Sequence, residues 1–166
     1  TKVGLRIDEN RAIKEQFNAI LEQIEGYIVS EPDYRQVKQL AALIGEAKSL
    51  WLSSGSIFDD DSQETWTRLT QRVDAQFQDW LKNHFSNLLS LPYSPRPVMV
   101  NHIPHYLGSL HTEKTALIIL DGMNFAQWVQ IRAYLQDIGK LSTEEDAVFA
   151  WVPTITSVSR QAIFSG

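Results

Sequence analysis

The chain has 166 residues, of which 43% are hydrophobic and 21% are charged, and its formal net charge at pH 7 is −5. This composition is typical of globular proteins and argues against disorder, while the negative charge argues against tight, nonspecific binding of nucleic acid. The chain has no cysteine, which excludes disulfides and cysteine-based zinc sites and favours a cytoplasmic location, and no hydrophobic run reaches the roughly 20 residues that span a bilayer.

Three amphipathic helices are predicted in the first 92 residues. Apolar side chains recur every three or four positions over residues 8–28, 30–51 and 62–91. Ser30 is the N-cap candidate of the second helix. Because the connections are short, we expect an antiparallel helical bundle over residues 1–92. The run Asp59-Asp60-Asp61 is interpreted as an acidic cap of the third helix in preference to a cation site, since carboxylates favour a helix N-terminus.

A proline-rich connector is predicted over residues 93–114, because proline interrupts helices. Within it, 98–100 is expected to be a short strand and 103–110 a short helix. His102 and His105 are three residues apart and would share a helix face. No third ligand accompanies them, so structural histidines are favoured over a zinc site. Trp66 and Trp80 fall on apolar stripes, which favours core packing over a platform for stacking bases.

The remaining residues, 115–166, are predicted to begin an α/β domain. The apolar run 115–120 indicates a strand buried on both faces, and it leads into Asp121-Gly122. A helix over 125–138 and a second apolar run over 147–152 complete a βαβ unit with parallel strands. The predicted fold class is therefore mainly α with a short α/β part.

Asp121 and Thr156 each follow one of these two strands, at the edge where ligands bind in open α/β sheets. A short helix is predicted over 158–164, so the Thr156 hydroxyl would lie beside unpaired N–H groups that attract phosphate. Since a carboxylate would repel phosphate, the pair is most reasonable with a divalent metal between them. The metal would lower the pKa of the hydroxyl, which would then attack phosphorus.

Leu120-Asp121-Gly122, followed by the run Phe149-Ala-Trp-Val-Pro-Thr-Ile-Thr-Ser-Val-Ser-Arg-Gln-Ala-Ile-Phe-Ser-Gly166, resembles the start of a PglZ domain. This family belongs to the alkaline phosphatase superfamily and occurs in bacterial phage-defence systems of the BREX type. The resemblance covers about residues 115–166. It implies an alkaline-phosphatase-like parallel sheet and a metal-dependent phosphoesterase, either a phosphatase or a phosphodiesterase or nuclease.

The resemblance also implies roles for single residues. Asp121 matches a metal-binding aspartate, and Thr156 matches the hydroxyl nucleophile that shares this metal. Ser159 and Arg160 match positions that can hold a substrate phosphate. Two divalent ions are implied, with zinc, manganese and magnesium as the candidates. Because the family takes further ligands from residues beyond Gly166, we expect a fragment of a longer protein that is inactive by itself.

Several alternatives remain open from the sequence. Asp121 could be a turn residue, Thr156 a helix cap and Arg160 a solvated side chain. The chain could instead be a non-catalytic interaction module that binds other proteins of a defence complex. A receiver-like domain with Asp121 as phosphoacceptor is disfavoured, because residues 98–114 contain no acidic pair. The expected partners are a phosphoester, nucleotide or nucleic-acid substrate and defence proteins, with no membrane.

Overall fold

The computed structural model describes residues 2–28, 31–110, 114–139 and 142–165, with side chains from residue 8 onward. Within these ranges the α-helices are α1 (Lys2–Tyr27), α2 (Tyr34–Ser54), α3 (Asp60–Leu89), α4 (Ile103–Ser109), α5 (Phe125–Asp137) and α6 (Thr156–Phe164), with 3₁₀ turns at Gly55–Ile57 and Val100–His102. The protein is therefore mainly helical, as predicted. Among the described helices none is long and apolar enough to cross a membrane.

The chain divides into two compact units that interleave along the sequence. The first contains Thr1–Trp80 and Asn124–Glu145, and the second contains Leu81–Met123 and Asp146–Gly166. The division falls within α3. The contiguous domains expected from the sequence, 1–92 and 115–166 with a connector between them, stay a prediction.

Side-chain caps fix the starts of α2 and α3. The Asp33 carboxylate accepts the Gln36 N–H at 2.8 Å, and the Gln36 side chain accepts the Asp33 N–H at 2.8 Å, which makes a capping box. Ser30, the cap expected from the sequence, lies outside the described residues. Asp59 Oδ1 accepts the Ser62 N–H at 3.0 Å, so the interpretation of the acidic run as a helix cap is confirmed.

The Asp59 carboxylate is a strong hydrogen-bond acceptor at this helix start. The Ser62 hydroxyl donates to it at 2.6 Å and Lys14 Nζ donates at 3.0 Å. These hydrogen bonds, with the Ser62 hydroxyl as the larger cause, hold the pKa of Asp59 well below its usual range. They tie the middle of α1 to the start of α3 in the first unit.

The core of the first unit is formed by α1, α2 and the start of α3. Phe17 is fully buried and its ring lies 5.6 Å from that of Trp51 and 4.6 Å from that of Phe58. The Tyr27 hydroxyl donates to Gln39 at 2.8 Å. Since residue 17 meets residue 51 while residue 27 meets residue 39, α1 and α2 run in opposite directions.

The two tryptophans considered for base stacking lie in the core, as predicted. The Trp66 ring makes an edge contact with Phe17 at 5.8 Å between centroids. Trp80 is 6% exposed, and its indole N–H donates to the Pro32 carbonyl at 2.6 Å. Trp80 is buried and Trp66 is partly buried against the core, so both rings contribute to the hydrophobic stabilisation of the unit.

The helix predicted over 125–138 is present as α5, and it packs against α2 in the first unit. Phe125 contacts the backbone of Gly45 so closely that no larger residue than glycine fits there without movement. Gln130 donates to the Ser49 hydroxyl at 2.5 Å. Arg132 donates to Glu145 at 2.9 Å, and both side chains are 22% exposed. Among the described residues, this helix is therefore held by α2 and by Glu145 in the segment that follows it, and not by strands.

The predicted βαβ unit is absent from the described residues, which corrects the α/β part of the fold class. Residues 114–120 have no strand assignment, and Ile118 is 78% exposed. The second predicted strand contributes one parallel bridge, Phe149 with Met99. An apolar run indicates a preference for burial, but it becomes a strand only where a neighbour supplies a ladder of hydrogen bonds. No such ladder reaches residues 114–120 within the described part of the chain.

The second unit is built around the bridge between Met99 and Phe149. The Val100 N–H donates to the Phe149 carbonyl at 2.9 Å, and the Phe149 N–H donates to the Val98 carbonyl at 2.8 Å. Met99 is fully buried and Ala162 of α6 is 6% exposed. The 3₁₀ turn that follows Met99 packs against α6 and α4. The bridge therefore positions α6, which carries the candidate site residues.

Candidate functional site

Asp121 lies at a turn that follows the exposed apolar segment 116–120. Residues 121 and 122 form the turn, and Gly122 has a φ of 73°. This left-handed conformation is strained for residues with a Cβ and is routine for glycine. The Asp-Gly pair thus ends the extended segment and leaves the carboxylate of Asp121 exposed to solvent.

Helix α6 begins at Thr156, earlier than predicted. The N-cap is Ile155, with φ −89° and ψ 150°, and its side chain makes no cap hydrogen bond. An apolar N-cap leaves first-turn N–H groups without the acceptor that serine or asparagine would supply. The start of α6 can therefore accept an anion, and the hydroxyl of Thr156 is exposed beside it.

An ion pair connects the two motifs of the sequence. Arg160 Nη2 donates to Asp121 Oδ2 at 3.0 Å. The Arg160 side chain is 66% exposed and that of Asp121 is 43% exposed. Exposed pairs of this kind contribute at most about 1 kcal/mol to stability, so this contact is easily broken. Both residues were predicted from the sequence to belong to the site, but their pairing with each other was not predicted.

One face of α6 carries the three candidate residues of the second motif. Thr156, Ser159 and Arg160 are spaced by three and four positions, which places them on the same side of a helix. Because Arg160 reaches Asp121 from this face, Asp121 and the face belong to one region of the second unit. No hydrogen bond joins Thr156 to Asp121 in the part of the chain that is described, and Ser159 is half-buried.

His102 has a structural role, as favoured from the sequence. It is 8% exposed, and its Nδ1 accepts the backbone N–H groups of Val98 and Met99 at 3.4 and 3.3 Å. Burial lowers the pKa of the imidazole, and the nearby His105 lowers it further. The His105 ring stacks on Tyr93 at 5.6 Å. Both imidazoles are thus engaged in contacts within the second unit.

Asn101 is a polar residue of this unit that sequence reasoning missed. Its Oδ1 atom is buried and has no hydrogen-bond partner among the described residues. Asn101 belongs to the 3₁₀ turn that packs against α6. A buried acceptor without a partner costs free energy, which is why such atoms are uncommon. No motif in the sequence distinguishes this asparagine from other polar residues.

The side-chain oxygens of Asp121 and Thr156 are of the kinds that bind divalent metal ions. Carboxylate and hydroxyl oxygens are suitable donors for zinc, manganese or magnesium, and the Asp121 carboxylate already holds a cationic group in Arg160. In the described ranges no group of three or more Asp, Glu and His side chains converges on one point. The oxygens of Asp121 and Thr156 would therefore be, at most, part of the ligand set that a tightly bound ion requires.

Comparison with known proteins finds a similarity over this region. Residues 101–166 match the family model described as the BREX system PglZ alkaline phosphatase-like domain. This match confirms the resemblance noted in the sequence and includes Asp121 and the whole of α6. No curated protein and no solved structure matches the chain significantly.

Proposed function

We propose, from the PglZ match of residues 101–166, that the protein is part of a metal-dependent phosphoesterase of a phage-defence system. The observation that carries the proposal is the ion pair between Asp121 and Arg160. It joins the two separate motifs of the family segment and brings the face of α6 that bears Thr156 into the same region as Asp121. The family match supports phosphatase-like chemistry, and the residues described below would supply its parts.

In the proposed reaction, Thr156 is the nucleophile. Its hydroxyl oxygen forms a bond to phosphorus, and the bond to the leaving oxygen breaks with its electron pair moving to that oxygen. The hydroxyl proton is lost to solvent or to a base. Water then cleaves the phosphothreonine and restores the hydroxyl. The exposed position of Thr156 at the start of α6 supports this role, because a phosphoester can approach it.

Ser159 and Arg160 are proposed to hold phosphate oxygens. Both follow Thr156 on the same face of α6, at a distance of one helical turn. The guanidinium of Arg160 can make two parallel hydrogen bonds to a phosphate. The first-turn N–H groups of α6 would add further donors near the attacked phosphorus. These donors favour the charge that develops on the phosphate oxygens.

Asp121 and the Thr156 oxygen are proposed ligands of one of two divalent ions, with zinc, manganese and magnesium as candidates. When bound, such an ion lowers the pKa of the hydroxyl and stabilises negative charge on the phosphate. Asp121 would contribute the negative charge that retains the ion, and Thr156 the oxygen that reacts. The substrate would be a phosphomonoester or a nucleotide or nucleic-acid phosphodiester, and other defence proteins the partners.

The proposal is tested by hydrolysis of an aryl phosphodiester and an aryl phosphomonoester by the intact protein, with added zinc or manganese. Thr156→Ala and Asp121→Ala should each lower turnover at least about 100-fold, because each removes a reacting or charge-stabilising group. Thr154→Ala is the matched control, since Thr154 is an exposed threonine outside α6, and it should keep nearly full activity. Wild-type rates in both site variants would exclude the proposed site.

A second candidate function is favoured by a specific observation, the exposed apolar segment 117–120. Leu117, Ile118, Ile119 and Leu120 are each at least 41% exposed. Contiguous apolar surface of this kind is typical of protein contact sites, which suits an interaction module of a defence complex. Under this alternative, Ile118→Ser would weaken assembly with the other defence proteins, whereas Thr156→Ala would change neither assembly nor phage resistance.

A further inference from the structure

Asp121 has a cationic partner in the structure, and this partner comes from the same motif as the proposed nucleophile. Arg160 Nη2 lies 3.0 Å from Asp121 Oδ2. Among the described residues, Asp121 has no other hydrogen bond or ion pair. The guanidinium therefore neutralises the carboxylate that the proposed function assigns to a metal ion.

A guanidinium and a divalent ion cannot both use this carboxylate without repulsion. Two like charges a few ångströms apart repel each other, and the repulsion is larger for a doubly charged ion. The ion pair is exposed and so contributes little that would prevent exchange. Metal binding at Asp121 is therefore expected to displace Arg160, whose flexible side chain can turn to another anion.

The position of Arg160 on α6 determines which anion is available. Arg160 is four residues after Thr156, on the face that carries the proposed nucleophile. A phosphate held at Thr156 is within reach of a side chain on that face, and a guanidinium forms paired hydrogen bonds with phosphate oxygens. Arg160 thus has two alternative partners of the same charge, the Asp121 carboxylate and the substrate phosphate.

We propose that the Arg160 guanidinium stays paired with the Asp121 carboxylate until a divalent ion binds that carboxylate. Binding of the ion then releases Arg160, which binds the substrate phosphate. The inference rests on the proposed function, because it needs Asp121 to be a metal ligand. The loss of the Arg160 guanidinium should therefore have opposite effects on the binding of two ligands. The metal ion loses a competitor, whereas the phosphate loses a donor.

The test measures both ligands on the intact protein. Binding of Mn²⁺ alone is followed by the electron paramagnetic resonance signal of the free ion, and binding of inorganic phosphate to the Mn²⁺-loaded protein by calorimetry. Arg160→Gln should bind Mn²⁺ about two- to fivefold more tightly, the range that an exposed ion pair implies, and should bind phosphate more weakly. Arg160→Lys keeps the charge and should bind Mn²⁺ as the wild type does.

Arg11→Gln is the control for a general change in charge, because Arg11 also forms an exposed ion pair, with Glu15, and lies in α1. It should leave both affinities unchanged. Equal or weaker Mn²⁺ binding by Arg160→Gln would overturn the inference. If Asp121→Asn still bound Mn²⁺ as tightly as the wild type, or if the wild type bound none, the metal assignment itself would be wrong and the inference would fail with it.

Discussion

His102 shows how one buried polar side chain makes stability depend on pH. Its Nδ1 atom accepts backbone N–H groups from Val98 and Met99, and protonation would replace this acceptor with a donor. Burial therefore lowers the pKa of the folded imidazole below the ordinary value of 6.5. Above that value the imidazole is neutral in the folded and unfolded states, and it contributes no pH dependence.

As the pH falls through the ordinary value, the unfolded chain binds the proton first, so the free energy of unfolding decreases. We predict that the His102 ring-proton resonance titrates with a midpoint below 6.5. His102→Gln keeps a hydrogen-bond acceptor and should lose less stability than the wild type between about pH 7 and pH 5. A midpoint at or above the ordinary value would contradict this account of the burial.

The close contact between α2 and α5 leads to a prediction about protein stability. A Cβ placed on Gly45 would lie 2.8 Å from the Cβ of Phe125, which is closer than real contacts allow. Gly45→Ala should therefore destabilise the protein by about 1–2 kcal/mol despite the better helix propensity of alanine, measured by denaturant unfolding. Gly26→Ala, where nothing lies within 4 Å, is the matched control and should be neutral or slightly stabilising. Equal effects of the two would contradict the close approach of α2 and α5.

The start of α5 is fixed by a capping box. The Asn124 side chain accepts the Gln127 N–H at 3.0 Å, and Gln127 accepts the Asn124 N–H at 2.9 Å. Asn124→Ala should cost about 1 kcal/mol, while Asn124→Asp keeps an acceptor and should cost much less. Thermal unfolding of the two variants measures the difference. If both variants unfolded at the same temperature, the cap would have no energetic role.

The helices could be predicted from the sequence because their signals are local. Apolar side chains at helical spacing and the acidic run at Asp59 specify helices without reference to the rest of the chain. The run 115–120 carries a pattern of burial and no information about which neighbour would pair with it. Phe149 pairs with Met99, a partner that lies about 50 positions earlier and that no local pattern indicates.

The residues of the candidate site stay a prediction from the motif, whereas the contacts between them could not be predicted from the sequence. The motif indicates Asp121, Thr156, Ser159 and Arg160 because the residue types themselves carry the chemistry. The ion pair between Asp121 and Arg160 depends on how the turn and α6 are brought together in the second unit. The buried Oδ1 of Asn101 depends on packing as well, and packing between distant segments leaves no trace in local sequence.

At the scale of the whole molecule, the chain has a helical first unit and a second unit. Most residues of the second unit lie in the segment that matches the PglZ family model. Stability rests on buried helix contacts such as those of Phe17, whereas the candidate site is exposed and polar. Variants at Thr156 and Arg160 should therefore change the proposed chemistry with little effect on folding, within about 1 kcal/mol of wild-type stability.

The role of Thr156 as the nucleophile is tested most directly by identifying the residue that is phosphorylated during turnover. The intact protein would be incubated with zinc or manganese and a phosphoester, quenched in acid, digested and sequenced by mass spectrometry. We expect one phosphoryl group on Thr156, and we expect it to be absent when Asp121 is replaced by alanine, because the attacking hydroxyl would then not be activated. Turnover with Thr156 unmodified under every quench, or with the phosphoryl group on Ser157 or Ser159 instead, would contradict it.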